Sequence, residues 1–185
     1  YSIQARHWLG ETGHAQCGGE PGLSDRWVSS LWWLDQLGAL AKVGIDVQIR
    51  QALVGSDYGL LDSTSYAPRP DFWSSALWKQ LMGPEVLSSQ ITTVPKISGA
   101  SRSQTLRHYA HCHPRQGVTL LHLNLSASSQ PIYLPYPVAN AQEYILSASH
   151  LRSPTVQLNG QPIVEAKVLQ QGGFTGQAPA PNRQG

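Results

Sequence analysis

The run His7-Trp8-Leu9-Gly10-Glu11-Thr12-Gly13-His14 places one carboxylate where an apolar segment gives way to a glycine-rich loop. By period-two alternation Ile3, Ala5, His7, Leu9 and Glu11 share one strand face, and Gln4, Arg6 and Trp8 share the other. A glutamate that ends a strand, just before a loop and a helix, stands where a (β/α) barrel keeps its catalytic side chains. The alternative is a solvated loop acid, the common fate of a single carboxylate. A second group, Arg107, His108, His111, His113 and Arg115, is the densest cationic stretch. It offers contact to a polyanion, or a metal at His111, Cys112 and His113, or simply a structural strand. On a strand His111 and His113 face one way and Cys112 the other, a poor match to a tetrahedral ion. The structural strand is therefore preferred, and no metal is expected. Cys17 lies in the loop and Cys112 in a strand, leaving both a disulfide and a reduced pair open. Asn124-Leu125-Ser126 is a glycosylation sequon, relevant to a secreted chain.

The elements that must position these residues fall into two textures. A loop from His14 to Gly22 leads to Ser24-Asp25, a credible N-cap pair, and a helix follows to about Val43. Its apolar positions Trp27, Leu31, Leu34, Leu37 and Leu40 recur at three and four, and Gly44 supplies the stop. Ile45–Val54 reads as a second strand, Gly55–Asp62 as a loop, and Pro68–Asp71 as the start of a helix that Gly83-Pro84 ends. Strand, helix, strand, helix makes two consecutive β/α units. From Val86 short β-rich runs take over, at Val86–Thr92, Thr105–Cys112, Val118–Leu125, Ile132–Leu134, Glu143–Ala148, Thr155–Leu158 and Ile163–Glu165. Asn159-Gly160 is a strong hairpin signal between two of them. The expected fold is therefore α/β followed by β. Residues 1–85 form the last β/α units of a (β/α)8 TIM barrel, and 86–169 an antiparallel β-sandwich. Residues 170–185 have the composition of a disordered or truncated tail. An eight-stranded barrel takes about 250 residues, so two units close nothing by themselves. The remaining strands are expected in the same or another chain.

Composition narrows the function. The 185 residues are 41% hydrophobic and 13% charged, a globular balance, and a net charge of +2 argues against nucleic acid. Six tryptophans and seven tyrosines supply core, and they are also the side chains on which sugar rings stack. No apolar run approaches a membrane span.

A series of motifs resembles the C-terminal part of the heparanase-type enzymes, glycoside hydrolase family 79. It comprises Trp8-Leu9-Gly10-Glu11, Cys17-Gly18-Gly19, Trp33-Leu34-Asp35-Gln36-Leu37-Gly38, Arg50-Gln51 and Asp57-Tyr58-Gly59-Leu60-Leu61. It continues with Pro70-Asp71-Phe72-Trp73, Leu81-Met82-Gly83, Tyr109-Ala110-His111-Cys112, Pro135-Tyr136-Pro137 and Val156-Gln157-Leu158-Asn159-Gly160, all in order. The resemblance implies a retaining glycosidase that acts on glucuronic acid-containing glycans such as heparan sulfate by double displacement, without a cofactor. Glu11 would be the nucleophile, and the acid/base residue would lie on an earlier barrel strand, upstream of Tyr1, leaving these 185 residues inactive alone. Gln16, Cys17 and Gly18 would hold the uronate, with Gln51 and Tyr58 contacting the sugar. Family members typically carry a tyrosine and three glycines where this chain reads Gln16-Cys17-Gly18-Gly19. That departure bears on the strength or selectivity of uronate recognition and leaves the nucleophile untouched. In animal relatives the match to Cys112 pairs with a later cysteine that this chain lacks, so Cys112 is expected as a free, buried thiol. The family implies an extracellular, lysosomal or membrane-associated location. The rival is a non-catalytic relative that binds a glycan or partner, against which the intact Trp8–Thr12 run argues.

Overall fold

Sixteen residues with aromatic and leucine side chains at helical spacing form α1 (Trp27–Lys42), and Gly44 in a left-handed conformation turns the chain away from it. The computed structural model describes residues 5–90, 105–134, 138 and 140–179. The α1 helix lies between β1 (His7–Thr12) and β2 (Ile45–Arg50), which pair in parallel. Pro70, the first residue of α2 (Pro70–Leu81), needs no backbone N–H there. The order β1, α1, β2, α2 matches the two expected β/α units.

Within the β/α units three features differ from the expectation, and in the β-rich half the strands expected at Glu143–Ala148 and Thr155–Leu158 shorten to Leu146–Ser147 and Gln157–Leu158. Helix α1 begins after Arg26, not after Ser24-Asp25, and has no side-chain cap. Its first donors are taken instead by a distant loop: Trp27 N–H donates to Ser153 O at 3.0 Å and Val28 N–H to Leu151 O at 2.9 Å. Strand β2 stops at Arg50 rather than Val54. Strand β1 runs through Glu11 to Thr12 and carries register shifts after His7 and after Leu9, so simple alternation does not extend unbroken from Ala5 to Glu11. Ile3 and Gln4 lie outside the described residues.

Among its described residues the β-rich half contains two antiparallel three-stranded sheets. One orders β3 (Val86–Leu87), β4 (Leu106–Cys112) and β5 (Val118–Asn124); the other β6 (Leu146–Ser147), β7 (Gln157–Leu158) and β8 (Gln161–Pro162). The hairpin at Asn159-Gly160 is present, both residues with positive φ as a tight two-residue turn requires. No strand forms at Ile132–Leu134, and the strand expected at Ile163–Glu165 gives way to a short helix, α3 (Glu165–Gln170). Thr92 and Pro135-Tyr136-Pro137 lie outside the described residues. Phe174, in the tail of low-complexity composition, is buried against Trp73, and Gln80 binds both its N–H and its carbonyl at 2.7 Å. No helix among the described residues is long and apolar enough to cross a membrane.

Two apolar clusters hold the halves together. Trp27, Trp73 and Leu77 pack on Val156 and Phe174, while Leu34 and Met82 pack on Tyr109 and Leu123. Between the helices runs a polar seam. Arg50 Nη2 lies 2.7 Å from Asp71 Oδ2, both side chains 4% exposed, and Ser29 and Ser30 donate to the same carboxylate at 2.7 and 2.8 Å. Trp32 and Trp33 cover the guanidinium with their ring faces, its carbon 5.1 and 5.6 Å from their centroids.

A buried pair of this kind is most sensitive to losing one partner. Arg50→Met should destabilise the protein by about 3–5 kcal/mol by leaving the Asp71 charge uncompensated, whereas Arg50→Met with Asp71→Leu should recover most of the loss. Denaturant midpoints of the three proteins check this. At the α1–β4 crossing, a Cβ on Gly38 would overlap ring carbons of the buried Tyr109, whose hydroxyl is held by Asp35. Gly38→Ala should therefore lower stability by about 1–3 kcal/mol despite its gain in helix propensity, read from the same midpoints.

Candidate active site

Glu11 is exposed in β1, and Gln51 directly follows β2, where its N–H donates to Thr12 O at 3.0 Å. The parallel pairing thus brings both residues to the carboxyl ends of adjacent strands. Gln48 donates to Leu37 O of α1 and Arg50 reaches Asp71 of α2, so these two side chains point toward the helices. Alternation sends Ile49 and Gln51 to the opposite face.

The loop after β1 is bent by three successive residues with positive φ, Cys17 (+54°), Gly18 (+95°) and Gly19 (+106°). Only at Gly19 is glycine demanded by space as well: a Cβ would sit 3.0 Å from both the Ser24 side chain and the Tyr58 nitrogen. Cysteine takes the left-handed conformation at the cost of contact between its Cβ and the backbone. Gly19 N–H donates to Gln16 O at 3.2 Å, and Gly18 O accepts from Asp57 N–H at 2.8 Å and Tyr58 N–H at 3.4 Å. Among the described residues the N–H groups of Cys17 and Gly18 find no acceptor, leaving two adjacent donors free in a tightly turned loop. Gln16 and Cys17 are exposed, and Gly18 is half-buried.

Tyr58 is buried, not an open rim aromatic, and its ring lies beside Gly13. Its backbone is fixed from two sides, by Gly18 O and by Arg50 Nη2, which donates to Tyr58 O at 3.1 Å. Arg69 completes that loop by donating to the carbonyls of Ser56, Asp57 and Gly59 and to Asp62. Hydrogen bonds from the Ser65 N–H and hydroxyl, the Thr64 N–H and Arg69 hold the Asp62 carboxyl well below the usual range.

Four residues beneath these loops escaped the sequence analysis as site residues: His14, Ser24, Arg50 and Asp71. His14 Nε2 is 2.7 Å from Ser24 Oγ, which also accepts Glu20 N–H at 2.7 Å. Its other nitrogen lies 3.5 Å from Ser29 Oγ, and its ring packs on Trp32 at 4.9 Å. Burial, and then the nearby Arg50, hold the imidazole below its ordinary range, with Asp71 acting the other way. Burial pushes the Asp71 carboxyl up while Arg50 and the two serine hydroxyls draw it down; burial likewise lowers Arg50 against the pull of Asp71. A signal for the pair existed in an arginine ending an apolar strand and an aspartate opening an apolar helix, but nothing in the spacing joined them.

The β4 residues do not converge. His111 is buried with Nδ1 2.7 Å from Gly83 O, Cys112 pairs with Glu85, and His113 Nδ1 accepts backbone N–H groups of Arg115 and Gln116. Both cysteines are free; Cys112 is half-buried rather than buried, and its hydrogen bond to Glu85, followed by burial, pushes the thiol up. Asn124 is exposed, its side chain engaged with Ser126 and Ser128. A broad hollow lined by Leu120, His122, Tyr133 and Ile145 among others does not include Glu11.

Comparison with known proteins follows the same residues. Residues 1–38, from before β1 into α1, match the family described as glycosyl hydrolase family 79, N-terminal domain. Heparanase of Rattus norvegicus is 41% identical over 167 residues, covering 83% of this chain and 30% of that protein. Heparanase-like protein 1 of Arabidopsis thaliana is 41% identical over 145 residues, 78% of this chain and 24% of that protein. Inactive heparanase-2 of Mus musculus is 34% identical over 178 residues, 89% of this chain and 30% of that protein. The chain therefore spans under a third of the length of these curated relatives. Within those bounds the chain is similar to heparanase along most of its length and, over residues 1–38, to glycosyl hydrolase family 79.

Proposed function

We propose that this chain is the C-terminal part of a retaining β-glucuronidase, with Glu11 as the nucleophile that forms a covalent glycosyl-enzyme. The observation that carries this reading is the placement of exposed Glu11 and half-buried Gln51 at one end of β1 and β2, with a loop carrying two unengaged amides following β1. In double displacement a carboxylate attacks the anomeric carbon as the leaving group is protonated, and water then releases the sugar. The partner carboxyl must stand roughly 5–5.5 Å from the nucleophile. On this reading it comes from an earlier barrel strand, so residues 1–85 contribute to a (β/α)8 barrel and 86–169 form its β-sandwich companion.

The free N–H groups of Cys17 and Gly18 suit a carboxylate, since adjacent backbone donors in a tight turn form an anion-binding concavity. On this reading exposed Gln16 would add its side-chain amide and Gln51 would contact the sugar, while Tyr58, buried beside Gly13, would meet the sugar with no more than its edge. The substrate would be a glucuronic acid-containing glycan such as heparan sulfate, met outside the cell, at its surface or in the lysosome, where Asn124 could carry a glycan of its own. The rat relative's name supports that substrate class, and the name of the mouse relative, inactive heparanase-2, favours a second reading. On that reading the same loop binds a glycan or partner without cleavage.

Covalent trapping separates the two. A cyclophellitol-type or 2-fluoro glucuronide probe should label the full-length protein at Glu11, with Glu11→Gln abolishing labelling and lowering glucuronide hydrolysis by about 10³-fold or more. A folded protein that retains glycan binding but takes no label would establish the non-catalytic reading.

A further inference from the structure

Glycine-rich loops do not hold their shape by glycine alone, and this one is tied down from beneath. The hydrogen-bond partners form a closed circuit. Glu20 N–H donates to Ser24 Oγ, Ser24 meets His14 Nε2 at 2.7 Å, and His14 Nδ1 faces Ser29 Oγ at 3.5 Å. Ser29 donates to Asp71, Asp71 pairs with Arg50, Arg50 donates to Tyr58 O, and Tyr58 N–H returns to Gly18 O. The circuit crosses both candidate binding loops, two helices and a strand.

Proton bookkeeping sets the form of His14. Ser29 gives its proton to Asp71 and can therefore only accept from Nδ1–H; Nε2 of the neutral ring then accepts the proton of Ser24, whose oxygen also accepts Glu20 N–H. Both directions are met by neutral imidazole with the proton on Nδ1. A second proton on Nε2 would turn that acceptor into a donor and strand the hydroxyl of Ser24, which is 2% exposed. The charges facing His14 are Arg50 from β2 and Asp71 from α2, while α1 offers Ser29 and the Trp32 ring and the loop itself offers Ser24.

We propose that neutral His14 is a positioning residue that ties the Cys17–Gly19 loop to the Arg50–Asp71 pair and so sets affinity for the uronate carboxylate. The carboxylate part of this inference rests on the glucuronidase reading above; the tie itself does not. Because burial and Arg50 hold the imidazole below its ordinary range, the tie is complete above that range. It is lost as pH falls through the lowered value.

The test uses the full-length protein and two substitutions. His14→Phe keeps a ring against Trp32 and removes both nitrogens; His14→Gln keeps a polar group near Ser24 and removes the titration. In His14→Phe, amide hydrogen exchange at Glu20, Asp57 and Tyr58 should accelerate about tenfold, with α1 and β4–β5 amides unchanged. KM for 4-methylumbelliferyl β-D-glucuronide should rise about tenfold with kcat nearly unchanged, while KM for the corresponding glucoside, which lacks the carboxylate, stays put. His14→Gln should restore part of the glucuronide KM and flatten its rise on acidification. Unchanged loop exchange, or equal acceleration across all elements, overturns the tie. A loosened loop with equal KM changes for both substrates overturns the role in carboxylate recognition. If the unmodified protein hydrolyses neither substrate, the glucuronidase reading fails, and the exchange experiment decides the tie by itself.

Discussion

The Arg50–Asp71 pair is the constraint on which the rest of this structure depends. An arginine and an aspartate withdrawn from water lose hydration worth several kcal/mol each, and only good geometry with further hydrogen bonds offsets that loss. Here the offset comes from two serine hydroxyls of α1, the Tyr58 carbonyl and two indole faces. Every one of these partners lies on a different segment from the pair itself. The pair gains these partners only when β2, α1, α2 and the loop after β2 are all in place, which makes one electrostatic contact a check on four pieces of the fold, while Arg50 Nε and Nη1 meet the indole faces rather than an acceptor.

That arrangement divides the β1–β2 sheet by function. Side chains that point to the helices, Gln48 and Arg50, are consumed in fixing the scaffold. Side chains at the strand ends that point away are left for chemistry. Scaffold and site share a backbone, so the energy that holds Arg50 also sets where Gln51 begins and, through Thr12 O, where β1 ends beside it. Rigidity at a binding site built on loops has to come from such support, because loop backbones have few partners of their own.

How much of this was legible in the sequence depended on whether the cause was local. Helix α1 follows from its leucine and tryptophan spacing and the stop at Gly44, and the hairpin follows from Asn159-Gly160, because each is decided within a few residues. The start of α1 was misplaced because its first N–H groups are met by carbonyls of Leu151 and Ser153, more than a hundred residues away. Ser24 and Asp25, expected as the N-cap pair of α1, organise the turn before the helix instead: Ser24 accepts Glu20 N–H and Asp25 accepts Gly22 N–H. Glu11 could be singled out from its place at the end of a strand. His14, three residues on, could not, since its partners Ser24 and Ser29 become neighbours only when the loop folds back over α1. Phe174 was hidden by the composition around it, which spoke for disorder while one aromatic side chain filled the space beside Trp73.

The pair also fixes register. In a strand a one-residue slip sends every side chain to the opposite face. Slipping β2 by one would carry Arg50 away from the helices and put Ile49 or Gln51 against Asp71, which is 3% exposed and would then have only hydroxyl partners. Neither replacement supplies a cation, so the slipped state keeps a buried carboxylate without its counter-charge. Apolar burial alone would not forbid it: Ile49 is 45% exposed in the native register and would gain by turning inward. The polar seam outweighs that gain and holds Gln51 outward beside the end of β1. A costly buried charge pair thus does for this sheet what hydrophobic alternation cannot, selecting the single alignment in which Glu11 and Gln51 lie at the same end.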